Sequence, residues 1–145
     1  MKCRYTKYLL WFMLGAIISL VAYTRFFSEN IADNWQHLHH QAHIALHNEK
    51  YEHVIEICDQ AIKADASSDN RYLMYVKKAK ALNKLHRYEE ALKSADLAVT
   101  IYPKKEEAYL VKVDALFNLG AEEELTATLE GIESINPHTP LKPLL

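Results

Sequence analysis

Apolar and polar positions divide the chain into two unlike parts. From Tyr8 to Thr24 the sequence YLLWFMLGAIISLVAYT runs for 17 residues without a charge. As an α-helix this stretch is about 25 Å long, and longer if Phe26 and Phe27 also insert. Beyond residue 35 the pattern changes, and apolar positions recur every three or four residues, as on amphipathic helices. Ala79, Leu82, Ala91, Ala95 and Ala98 form one such stripe, in which the alanines let paired helices approach closely. With only three Gly and four Pro in 145 residues, and Ala, Leu, Lys and Glu dominant in the body, the pattern predicts an all-α protein.

The first part carries the signs of a membrane segment. Lys2, Arg4 and Lys7 precede the apolar run, Arg25 follows it, and Tyr5, Tyr8, Trp11, Tyr23, Phe26 and Phe27 place aromatics near its ends. Aromatic belts and a basic flank on the cytoplasmic side are features of single-pass helices. Leu20-Val21-Ala22 and Ala22-Tyr23-Thr24 each lack the small-x-small pattern of a cleavage site, which favours an uncleaved anchor over a secretory signal. The expected layout is a basic N-terminus and transmembrane helix over residues 1–27, a helical body over 28–137 and a Pro-containing tail over 138–145. Membrane contact falls on residues 8–27, with the N-terminus cytoplasmic and the body outside, as in a bacterial inner membrane with a periplasmic domain. A mitochondrial outer-membrane receptor with its body in the cytosol is the alternative.

The body repeats. Tyr51-Glu52-x-x-Ile55 through Ala61-Ile62 aligns with Tyr88-Glu89-x-x-Leu92 through Ala98-Val99, 37 residues later. Ile101-Tyr102-Pro103 returns as Ile135-Asn136-Pro137, and Lys84-Leu85-His86 as Asn118-Leu119-Gly120, both at an offset of 34. Periods of this size signal a solenoid. The middle copy, 72–105, resembles the tetratricopeptide repeat, with Tyr75, Ala79, Leu82, Tyr88, Ala91, Ala95, Ala98 and Pro103 at the large, small and proline positions of that family. Lys78 departs from it. A first copy over about 35–68 offers Leu38, Ala42, Ala45, Tyr51, Val54, Cys58 and Ala61, with Ala66 in place of the terminal proline and Asp69 or Asn70 expected to cap the next helix. A third, over 106–137, offers Tyr109, Val113, Leu116, Leu125, Leu129, Ile132 and Pro137, with Glu122 where the family has Tyr. The expectation is an α-solenoid of three helical hairpins behind the anchor. No solvating cap helix follows Pro137, which marks the third repeat as a candidate surface for self-association.

Charge and chemistry narrow the function. Residues 26–145 carry 13 basic and 19 acidic side chains, a net of −6, and show no basic stripe of the kind nucleic acid requires. Cys3 and Cys58 form no zinc-type pair, and Cys58 falls at a helical position expected to be buried. There is no Gly-rich phosphate loop, no nucleophile elbow and no metalloprotease motif, so neither an enzyme nor a cofactor is expected. Residues 37–47 hold five histidines. His39 with His43, and His43 with His47, have the i,i+4 spacing of a metal-chelating pair. They are weak metal candidates, since His39 and His47 lie about 12 Å apart along a helix. As imidazoles gaining charge together they also suggest a pH-responsive sensor.

The tetratricopeptide resemblance implies that a protein or peptide partner binds on the concave face. The matching positions here are His39, His43 and His47 in the first copy, Leu73, Val76, Lys80 and Lys84 in the second, and Leu110, Asp114 and Phe117 in the third. Repeats of this family that clamp chaperone C-terminal carboxylates carry Lys and then Asn where this chain has His39 and His43, so that particular clamp is not implied. An apolar anchor on Leu73, Val76, Leu110 and Phe117, with Lys80 and Lys84 orienting an acidic group, fits better. The resulting expectation is a membrane-tethered interaction module or scaffold that helps to assemble an envelope complex. The alternatives are the metal- or pH-responsive sensor and the mitochondrial receptor.

Overall fold

The computed structural model describes residues 2–64 and 67–137, apart from the side chains of 2–10, 12 and 26–33. Six helices appear among them: α1 (Lys2–His47), α2 (Tyr51–Ala64), α3 (Ser68–Lys84), α4 (Tyr88–Ile101), α5 (Glu106–Leu119) and α6 (Glu122–Ile135). The chain divides into two units, residues 1–36 and 37–145. In the first, the described apolar side chains between residues 11 and 25 lie exposed, Trp11, Leu14, Ile18 and Val21 among them.

The structure corrects the expectation of a membrane anchor. Among the described residues no helix is long and apolar enough to cross a membrane. The transmembrane assignment over residues 8–27 falls, and with it the single-pass placement in an inner or mitochondrial outer membrane. The physical reason is length. The uncharged run ends after 17 residues, between Lys7 and Arg25, and so reaches about 25 Å against a hydrocarbon core of about 30 Å.

The second unit is an all-α stack of helical hairpins. Each helix from α2 onward packs on the next, and α3 also packs on α5, which is the nearest-neighbour arrangement of a solenoid. The buried positions follow the helical period: Leu38, Ala42 and Ala45 on α1, then Val54, Ile57, Cys58 and Ala61 on α2. Leu82, Ala91 and Ala115 form one buried cluster, with Ile55 and Leu92 packed against it, so a single point joins α2, α3, α4 and α5. Alanine is what allows this. Ala79, Ala91, Ala95 and Ala98 are all fully buried, and a larger side chain there forces the backbones apart.

The turns between paired helices explain the 37- and 34-residue offsets. The amides of Lys50, Arg87 and Ala121 donate to the carbonyls of Ala45, Leu82 and Leu116, at 2.9, 2.9 and 3.1 Å. In each turn the preceding residue has a left-handed backbone: Glu49 (φ 57°), His86 (φ 58°) and Gly120 (φ 70°). This is the Schellman closure, which satisfies the last carbonyls of a helix.

One local expectation is corrected. The cap of α3 is Ser67, whose hydroxyl accepts from the Asn70 amide at 3.4 Å, and not Asp69 or Asn70. Asp69 sits inside the first turn, where its carboxylate accepts from the Tyr102 hydroxyl. Ala66 and the tail 138–145 lie outside the described residues.

Candidate functional site: a groove along α3 and α5

Two contacts set the register of α3 against α5. The Lys80 ammonium meets the Glu107 carboxylate at 2.6 Å, and the buried Asn83 side chain donates from Nδ2 to the Val111 carbonyl at 3.0 Å. Beside them opens a cavity of about 360 Å³. Leu46 and Tyr51 contribute to it from the first hairpin, Lys80, Asn83 and Lys84 from α3, and Glu107, Leu110, Val111 and Asp114 from α5. A second cavity of about 100 Å³ lies between α5 and α6, lined by Leu110, Val113, Asp114, Phe117, Leu125 and Leu129. Leu110 and Asp114 line both, so the two spaces adjoin.

The residues expected on the binding face separate into two groups. Lys80, Lys84, Leu110, Asp114 and Phe117 come together at the cavities, with Leu110 41% and Phe117 59% exposed. Val76 does not: it is buried in a core cluster with Tyr72, Ala79 and Ala95, and Leu73 packs against that cluster. Val76 is 3% exposed, and Leu73 is partly buried. His43 and His47 are exposed, His39 is half-buried, and none of the three lines either cavity. Tyr51, Val111, Val113, Leu125 and Leu129 also line the cavities. Apolar spacing marks Val113, Leu125 and Leu129 as core positions, and the opening between α5 and α6 gives them a cavity to line.

The electrostatics of the groove are uneven. Lys80 is committed to Glu107, whereas Lys84 is exposed and makes no ion pair among the described residues. Lys77, half-buried on the same helix, has its ammonium destabilised chiefly by burial. On the other wall the Asp114 carboxylate meets only an amide, Asn118 Nδ2, at 3.4 Å. The groove therefore offers a cation on α3 and an anion on α5.

Among the described residues no three His, Cys, Asp or Glu side chains converge to hold a metal. Burial lowers the pKa of His39 below the usual 6.5, and the nearby charges of Lys77, His43 and His40 lower it further. A depressed histidine contributes stability that is present above pH 6.5 and is lost as pH falls below it, because the unfolded chain then binds the proton more readily. Thermal melts should accordingly show a lower Tm at pH 5.5 than at 7.5, and His39→Gln should shrink that difference. An unchanged difference in the variant would assign the pH response elsewhere.

Comparison with known proteins agrees with this fold. No family model matches the chain. A curated relative, the Protein STIP1 homolog of Dictyostelium discoideum, is 30% identical over 97 residues. The match covers 67% of this chain and 17% of the relative, so the chain spans under a fifth of that protein's length. Among solved structures, the first tetratricopeptide domain of Spaghetti (RPAP3), bound to the HSP90 peptide SRMEEVD, superposes with a TM-score of 0.67. It is 20% identical, and the match covers 74% of this chain and 85% of that one. The second unit thus has the tetratricopeptide fold, the class of helical solenoid to which the repeats pointed.

Proposed function

We propose that the repeat body is a protein-interaction module, an adaptor rather than an enzyme, which holds a short acidic segment of a partner protein in the groove between the first hairpin, α3 and α5. The observation that carries this is the 360 Å³ cavity lined by the exposed cation Lys84, which makes no ion pair among the described residues, together with Leu46 and Leu110. A cavity of that size falls within the range of specific ligand sites. The HSP90 peptide SRMEEVD bound by the structural neighbour, which ends in Glu-Glu-Val-Asp, has the acidic character that Lys84 suits. His39 and His43 replace the Lys and Asn of the usual carboxylate clamp, so the acidic end is held here from α3, mainly by Lys84.

The direct test is fluorescence anisotropy with labelled SRMEEVD peptide and the 145-residue chain. Binding should weaken with added salt. Lys84→Glu should raise Kd by about tenfold or more, equivalent to about 1.4 kcal/mol. No saturable binding at millimolar peptide, or equal affinity in the variant, would overturn the proposal.

A further inference from the structure

The smaller cavity adds a second requirement on the partner. It is enclosed mainly by Val113, Phe117, Leu125 and Leu129, with Leu110 and Asp114 at the border it shares with the larger groove. An apolar cavity of about 150 Å³ is known to accommodate benzene. At about 100 Å³ this one suits an aliphatic side chain and not a tryptophan. Asp114 then decides what may stand next to that side chain. Its carboxylate is exposed and is paired with no cation among the described residues. An acidic group on the Asp114 side of the aliphatic anchor meets repulsion, and a basic group there meets attraction.

Building on the proposed function, we infer that the third repeat selects a partner segment in which a Lys or Arg stands beside an aliphatic side chain, the latter seated between α5 and α6. The acidic end of the same segment lies against Lys84. Recognition is bipolar, since the α3 wall offers a cation and the α5 wall an anion, and this fixes the direction in which a segment can lie. Complementary charge of this kind sets orientation and rejects reversed or uniformly acidic segments more than it adds affinity.

The test uses the SRMEEVD frame as probe, with its Arg changed to Lys, Ala or Glu and its Met to Leu, Gly or Trp. On the native chain the Arg-to-Lys peptide should bind like the parent, the Arg-to-Glu peptide about tenfold more weakly, and the Trp peptide more weakly than the Leu peptide. Asp114→Lys, at an exposed position, should reverse the preference so that the Glu peptide binds best, while circular dichroism confirms an intact fold. Leu129→Phe, which fills the cavity, should remove the discrimination between Leu and Gly without altering the effect of Lys84→Glu. If the Arg, Ala and Glu peptides bind native and Asp114→Lys chains alike while Lys84→Glu still weakens binding, this inference fails and the proposed groove stands. If no peptide binds the native chain, both fail.

Discussion

Leu82→Ala should lower the unfolding free energy of the repeat body by about 2–5 kcal/mol, the range for truncating a buried leucine. The upper part of that range is expected, because the side chain is fully buried and its immediate neighbours in the cluster are Ala91 and Ala115. Alanine has no rotamer with which to reach into the space left behind, so the cavity stays open. Ile55 and Leu92 pack against the cluster from α2 and α4. The loss falls where α2, α3, α4 and α5 meet, and in a nearest-neighbour array a weakened central junction also uncouples the repeats on either side. Urea denaturation followed by circular dichroism should show the midpoint fall, with a shallower slope if the ends unfold separately. Leu97→Ala, at a position 47% exposed, is the comparison and should change stability by no more than about 0.5 kcal/mol. A Leu82→Ala loss below 1 kcal/mol would contradict the packing described.

The second large effect concerns Cys58. The thiol is fully buried on α2, and burial pushes its pKa up from 9.0 to about 12; the nearby Lys77 and Lys78 ammoniums oppose the rise and Asp59 adds to it. Only thiolate reacts with alkylating reagents, so at neutral pH the reactive fraction falls about a thousandfold relative to a thiol of ordinary pKa. In a Cys3→Ser background, alkylation of the folded chain should be slower than in urea by at least that factor, since burial also blocks access. The same shift makes stability fall at alkaline pH. The folded thiol keeps its proton through the interval from about 9 to about 12 in which the unfolded thiol releases it, so stability is full below 9 and declines as pH rises. Modification of the folded chain at a rate near that of the unfolded one would show that α2 opens or that Cys58 is not enclosed.

Much of the helical body was legible because the same physical problem recurs in it at fixed intervals. Each hairpin must close its first helix through a left-handed residue and a backbone bond five residues back, and the residues that do so, Glu49, His86 and Gly120, stand at the offsets of 37 and 34 found in the sequence. The alanine stripe was legible for a related reason, since close helix pairing tolerates little else. In the N-terminal segment composition and flanking charge point to a membrane anchor, whereas the uncharged run of 17 residues is short for one.

The candidate site was legible only in part. Lys80 and Lys84 are equivalent by spacing, yet stacking brings Glu107, 27 residues away, onto Lys80 and leaves Lys84 open. Val76 and Leu110 are likewise both apolar residues at groove positions, and tertiary packing buries the first while exposing the second. Local pattern alone determined the all-α class, the hairpin period, the turn positions and the identity of the buried stripe, because helical periodicity and turn geometry act over a few residues. Which cation is open, which apolar side chain faces solvent, and that a cavity lies between α5 and α6 were decided only when the repeats stacked, because each depends on atoms brought together from helices far apart in the chain.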